Sequence, residues 1–199
     1  MQQYHSIPST PVVAVITDAE LADWLGVDVS DPLLPVMAET ATAAVIDFLE
    51  YELITRERVT HWENWPTLGT LSGPSLSPPD AGLMAEIELP YAMPRGLAVT
   101  EVLVAGEATT DYRITVRRTA SICFDAFPVT TSDTEALKIT YTSGFGPNAS
   151  DTPLAIRTAT LMIADFLYNN RGSCSASDAL GKSGAGAVLT PYKAKVVIL

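Results

Sequence analysis

Residues Ile139 to Gly172, ITYTSGFGPNASDTPLAIRTATLMIADFLYNNRG, decide the fold of this chain. Leu137, Ile139 and Tyr141 alternate with Lys138, Thr140 and Thr142, the period-2 pattern of a half-buried strand. Gly144 and Gly146 supply the backbone freedom for a sharp reversal. Asp151 or Thr152 can cap the helix that follows, Pro153 suits its first turn, and Gly172 closes it after Asn169, Asn170 and Arg171. Between those ends the helix is apolar except for a stripe of Arg157, Thr158, Asp165 and Asn169. Such a helix must be covered on most sides, by its own domain or by a neighbouring subunit.

Upstream, Thr17 and Glu20 stand at capping-box spacing for a short helix that ends at Gly26. A second helix starts from Asp31 and Pro32, with Leu34, Met37, Ala41, Ala44, Val45, Phe48 and Tyr51 spaced to bury one face and Glu39, Asp47 and Glu50 on another. From Arg56 the pattern turns β-like. RERVTHWENW reads as a strand stopped by Pro66, and residues 67–83 are rich in Gly, Pro and Ser. Further strands are expected at Ala85–Leu89, Ala98–Val104, Tyr112–Val116, Ser121–Phe127 and Ala136–Thr142, with a turn near Gly106 and a hairpin across Arg117–Ala120.

The expected fold is therefore α+β: two N-terminal helices (1–55), an antiparallel β region (56–149) with a loop at 67–83, and a long helix (150–172) packing with the first two. The last segment, 173–199, reads as a flexible tether carrying an apolar, β-prone docking arm from Val188. An edge strand added to the chain's own sheet is the other reading of that arm.

Composition narrows the function. Twelve Lys and Arg against 23 Asp and Glu give a net charge of -11, which argues against a nucleic-acid-binding surface. The charge is also uneven: residues 1–55 carry nine acids and no base, whereas 182–199 carry Lys182, Lys193 and Lys195 and no acid. Ends of opposite sign suggest complementary contacts between subunits or with a partner. Two cysteines, Cys123 and Cys174, make no disulfide framework and point to a reducing compartment. The N-terminal apolar run is too short for a signal peptide or a membrane span, so no membrane partner is expected.

Chemistry is hard to find. Gly181-Lys182-Ser183 lacks the upstream glycine and the strand of a phosphate loop, because Ala176 stands where the glycine belongs. His5 and His61 have no Cys or His nearby at metal-ligand spacing, and Cys123 sits mid-strand like a small buried hydrophobe. No catalytic residue, metal or cofactor is expected.

Taken in order, VITDAELADWLGVD, the strand with Trp62 and Trp65 before Pro66, IELPYAMP at Ile87–Pro94, DYRI at Asp111, ITYTSGFG at Ile139 and TPLAIRTATLMIADFLYNNRG resemble the head-to-tail connector (adaptor) proteins of tailed bacteriophages. The resemblance spans roughly Val15 to Tyr192, and residues 67–83 look longer than that pattern. It implies a structural protein of the virion neck, assembled in the host cytoplasm into a homo-oligomeric ring, a dodecamer. Such a ring extends the channel under the portal, joins a tail or further neck protein, and lets DNA pass without specific binding. By position, the portal-binding arm is Val188, Leu189, Tyr192, Lys193, Lys195, Val196, Ile198 and Leu199. Ile156, Met162, Ile163, Phe166 and Leu167 are the expected subunit-packing residues, and Glu39, Asp47 and Glu50 the expected channel-facing acids. Three alternatives remain: a stopper or tail-completion protein, a β-sandwich module binding carbohydrate through Trp62 and Trp65, and a hydrolase using a carboxylate or Cys123.

Overall fold

A computed structural model describes residues 4–8, 12–63, 85–93, 96–116, 119–124, 136–171 and 174–193. The chain divides into two compact units: residues 1–9 with 56–143, and 10–55 with 144–199. Trp65, Pro94, Gly172, the 67–83 loop and Lys195 to Leu199 lie outside the described residues.

The first unit is all β. A five-stranded antiparallel sheet runs in the order β1 (Tyr4–Pro8), β2 (Arg56–Trp62), β8 (Leu137–Ser143), β4 (Ala98–Val104), β5 (Glu107–Ala108). A three-stranded sheet runs β3 (Ala85–Glu88), β7 (Ala120–Phe124), β6 (Tyr112–Val116). The alternation read in β8 is met in full: Leu137, Ile139 and Tyr141 are buried and their neighbours half-buried. Both sheets contribute to one core of Trp62, Ile87, Val102, Ile122, Phe124, Leu137, Ile139 and Tyr141. Burying apolar area of this kind stabilises by about 25 cal/mol per Å². The Tyr141 hydroxyl donates to the Pro90 carbonyl and pairs with Thr60 Oγ1 at 3.2 Å, so the polar tip of that buried ring is satisfied.

Several strand expectations need correction. Residues 4–8 fall within the region expected to be helical (1–55), yet they form β1, whose register sets His5 opposite His61 and Ile7 opposite Val59. The turn at Ala105 and Gly106, both at positive φ (49° and 82°), joins β4 to the two-residue β5, while β6 pairs with β7 instead. Positive φ at both central positions is the geometry that suits a two-residue hairpin.

The second unit is helical: α1 (Asp18–Leu25), α2 (Leu33–Leu49), α3 (Leu154–Asn169), α4 (Ala176–Lys182) and α5 (Ala185–Leu189). The capping box is formed as read, with Thr17 Oγ1 accepting from the Glu20 amide at 3.2 Å and Gly26 closing α1 at φ 68°. Asp31 Oδ1 accepts from the Leu33 amide at 2.9 Å at the start of α2. The buried face of α2 is Leu34, Ala38, Ala41, Thr42, Val45, Ile46 and Leu49, so Met37, Ala44 and Phe48 are only partly covered, a rotation of the expected stripe. α3 begins one residue after Pro153, behind a 3-10 turn at Ala149–Asp151. The reversal before it is tight: Gly144, at φ 148°, leaves no room for a Cβ against the backbone of Ile54 and Thr55.

The largest correction concerns the C-terminal segment. Within 173–199, expected as a flexible tether and docking arm, residues 176–192 form α4, α5 and a 3-10 turn, and α4 and α5 pack on α3. A run of small residues suits a linker, but Ala179, Ala185 and Leu189 are fully buried. Small side chains let helices approach closely, and Gly184, at φ 80°, makes the break between α4 and α5. No described helix is long and apolar enough to cross a membrane.

Candidate functional site

α3 organises the helical unit through its two ends. At its start, Arg157 Nε donates to the Val15 carbonyl at 3.2 Å and Nη2 to Glu20 Oε1, which ties α3 to the cap of α1. The Thr17 amide hydrogen bond, helped by Arg157, holds the Glu20 carboxyl below its ordinary value against a partial desolvation that raises it. At the far end the Tyr168 hydroxyl donates to Asp31 Oδ2 at 2.6 Å, which lowers the Asp31 pKa and raises that of Tyr168. The Arg171 guanidinium lies over the Tyr168 ring, 4.1 Å from its centroid.

This arrangement redistributes the expected packing residues. Ile156, Ile163 and Leu167 are buried among helices of the same chain, so they are core and not a surface for a neighbour. Met162 and Phe166 are only partly covered. With Asp165, Asn169, Asn170 and Ser183 they line an open cleft of about 290 Å³. Asn169 Nδ2 donates to Asp165 and Asn170 Nδ2 to the Phe166 carbonyl at 2.8 Å, so the polar rim is held by hydrogen bonds within the helix.

The expected arm is likewise divided. Leu189 is fully buried in α5 and cannot serve as a docking contact while the unit is folded; Val188 is half-buried. Tyr192 keeps an exposed ring while its carbonyl accepts from the Tyr51 hydroxyl at 2.9 Å, and burial raises the Tyr51 pKa. Lys193 Nζ lies 4.7 Å from the centroid of Phe48 on α2. Lys193 therefore meets the acidic N-terminal region within one chain, since Asp47 precedes Phe48 and Glu50 follows two residues later. In α4, Lys182 pairs with Asp178 at 3.0 Å, and the Ser175 hydroxyl, ahead of Lys182, brings the Asp178 pKa down to about 2. Glu39 and Asp47 are exposed on α2, and Glu50 is exposed at its C-cap.

The β unit answers the remaining expectations. Trp62, expected as an exposed ligand platform, is 1% exposed at the centre of the core, which removes the described half of the carbohydrate-binding reading. Cys123 is a buried thiol within 3.3 Å of Thr115 Oγ1, and Cys174 Sγ donates to the Asn170 carbonyl. Among the described residues no group of three His, Cys, Asp or Glu could hold a metal ion.

What sequence spacing could not supply are cross-strand neighbours. The three-stranded sheet is bounded by β3, with exposed Glu86 and Glu88, and by β6, with exposed Arg113. Glu86 and Arg113 both lie opposite Cys123, and Glu88 and Thr115 both lie opposite Ser121. The hairpin of β6 with β7 was legible in the sequence, but the pairing of β3 with the other side of β7 was not.

No protein-family model matches the sequence. No curated protein matches it either. Three solved structures share the fold across nearly the whole chain. A chain from the neck of an empty gene transfer agent particle, computed with C6 symmetry, is similar at 20% identity with a TM-score of 0.71, covering 98% of this chain and 97% of the other. A chain from the neck of the native particle, computed with C12 symmetry, is similar at 21% identity with a TM-score of 0.64, covering 96% of each. A chain from the virion of the native particle is similar at 18% identity with a TM-score of 0.59 and 98% and 97% coverage. The α+β fold of this protein is thus one found in the necks of gene transfer agent particles.

Proposed function

We propose that this protein is a non-enzymatic structural component of the neck of a tailed-phage-like particle, a head-to-tail connector whose copies form a ring beneath the portal. The observation that carries this reading is the correspondence of both units, over 98% of the chain, with a neck protein of a gene transfer agent particle. The connector-like order of motifs from Val15 to Tyr192 supports it independently. The charge of -11 suits a conduit that repels phosphate and lets DNA slide past. Glu39, Asp47 and Glu50 are the acids assigned to the lumen, and the exposed Tyr192 with Lys193 and the following Lys195, Val196, Ile198 and Leu199 are assigned to the portal. Met162 and Phe166, left partly open at the cleft, are the α3 residues that remain for subunit packing. A tail protein or a further neck protein would sit on the opposite rim.

The test is native mass spectrometry and electron microscopy of the full chain with and without its cognate portal. A closed ring seated on the portal is the expected result. A stable monomer that ignores the portal refutes the reading.

A further inference from the structure

The helical unit carries a projecting aromatic ring on one flank of α3 and an open cleft on the other. On the flank where Arg157 reaches Glu20, Trp24 stands one turn further along α1, four residues beyond Glu20. The Trp24 side chain is 47% exposed, leaving in water a ring of the type that dominates core and interface energetics. On the other flank, Met162, Phe166 and Asn169 lie roughly 120–180° round α3 from Arg157. With Asp165, Asn170 and Ser183 they line the cleft of about 290 Å³. That volume is just below the ~300–1,000 Å³ of clefts that take drug-sized ligands, the scale of one bicyclic ring.

We propose that Trp24 of one copy inserts into the Met162–Phe166 cleft of the next copy around the assembly. The chemistry of the lining selects an indole. The Met162 thioether favours an aromatic neighbour, and Phe166 offers a ring for stacking or edge contact. Asp165 accepts from Asn169 on Oδ1; a carboxylate accepts at both oxygens, so Oδ2 can take the indole N–H. The other exposed apolar side chains of the helical unit fit less well. Val13, Val29, Val36 and Leu154 bring no donor for Asp165, and Tyr192 is assigned above to the portal. The ring of one copy and the cleft of the same copy lie on different flanks of α3, so the contact joins two different surfaces. Such a contact is heterologous, and heterologous contacts propagate into rings when the rotation closes. The inference rests on the ring reading above and names the two surfaces which that reading leaves open.

The experiment uses the full chain in three forms: wild type, Trp24→Ala, which removes the inserted ring, and Asn169→Trp, which fills the cleft from its own exposed rim. Each is checked by circular dichroism for folding. Assembly is followed by native mass spectrometry and sedimentation velocity, alone and on the cognate portal. Each variant alone should lose at least tenfold in the oligomer population, the behaviour of a central aromatic anchor. Mixed, the two should form a one-to-one pair and nothing larger, because the only intact ring then meets the only open cleft; recovery of the pair also rules out misfolding as the cause of the loss. If either variant assembles as the wild type does, Trp24 packs elsewhere or another segment fills the cleft, and the inference falls while the ring reading stands. If both variants lose assembly but no pair forms on mixing, the two surfaces do not meet and the inference falls. If the wild type forms no ring even on the portal, both fall together.

Discussion

Leu189 separates a folded C-terminus from a tether. The side chain is fully buried in α5, which packs on α3 together with α4. Replacing it with alanine deletes three carbons from a site enclosed by helices that are tied in place by the Ser175–Asp178 cap and the Tyr51 hydroxyl bond to the Tyr192 carbonyl. The measured range for such truncations is about 2–5 kcal/mol, transfer and cavity terms together. Short α5 lets the site relax in part, so a loss of about 3 kcal/mol is expected. At ~2–4 °C per kcal/mol for a chain of this size, the thermal midpoint of the helical unit should fall by roughly 6–12 °C. Urea and thermal unfolding of the isolated full chain, followed by far-ultraviolet circular dichroism, measure it directly. Val188→Ala, at a half-buried neighbour, serves as the comparison and should cost less. If Leu189→Ala changes stability by under about 0.5 kcal/mol, the range of ordinary surface substitutions, residues 176–192 are a tether after all and the packing argument is refuted. By the same reasoning, truncation at Val188 should damage folding as well as any attachment, because it removes a core side chain.

Gly144→Ala should destabilise by on the order of 3 kcal/mol, since a Cβ would meet the Ile54–Thr55 backbone at a positive φ; equilibrium unfolding with a loss below about 1 kcal/mol would count against that close approach. Trp62→Ala should cost about 3–5 kcal/mol by emptying the shared core of the two sheets, measurable as a drop in urea midpoint. Glu20→Gln should lose about 1 kcal/mol near pH 7, a figure kept small because the pair is partly solvated. The Glu20 pKa is depressed in the folded protein, so this contribution is present above the ordinary carboxylate range and is lost as pH falls through the folded pKa. Wild-type and variant stabilities should therefore converge as the pH falls below the ordinary carboxylate range and through the lowered Glu20 pKa, and a gap that persists in strong acid would overturn the assignment. Reversing Glu39, Asp47 and Glu50 to Lys should slow DNA packaging or ejection in particles if they line the lumen; unchanged rates would place them elsewhere.

Local signals proved readable where each residue needs only its chain neighbours. The Thr17–Glu20 cap, the Gly26 stop, the β8 alternation and the β6–β7 hairpin all follow from spacing over a few positions. Long-range contacts were not readable. The burial of Ile156, Ile163 and Leu167 by the chain's own helices, and of Trp62 by two sheets, depends on segments far apart in sequence. The C-terminal segment misled for a physical reason: Gly, Ala and Ser are shared by linkers and by helices that must pack closely, and only the presence of α3 beneath them decides between the two.

The sequence by itself determined the types of α1 to α3 and of the central strands, the α+β order and the acidic character, because propensity, capping and charge are properties of local chemistry. Tertiary structure alone decided which apolar faces are core and which stay open. It buried Leu189 against α3, rotated the covered face of α2, and set Glu86 with Glu88 and Arg113 on opposite edges of one sheet. Burial and strand order depend on what each element is packed against, and no stretch of sequence carries its own partner.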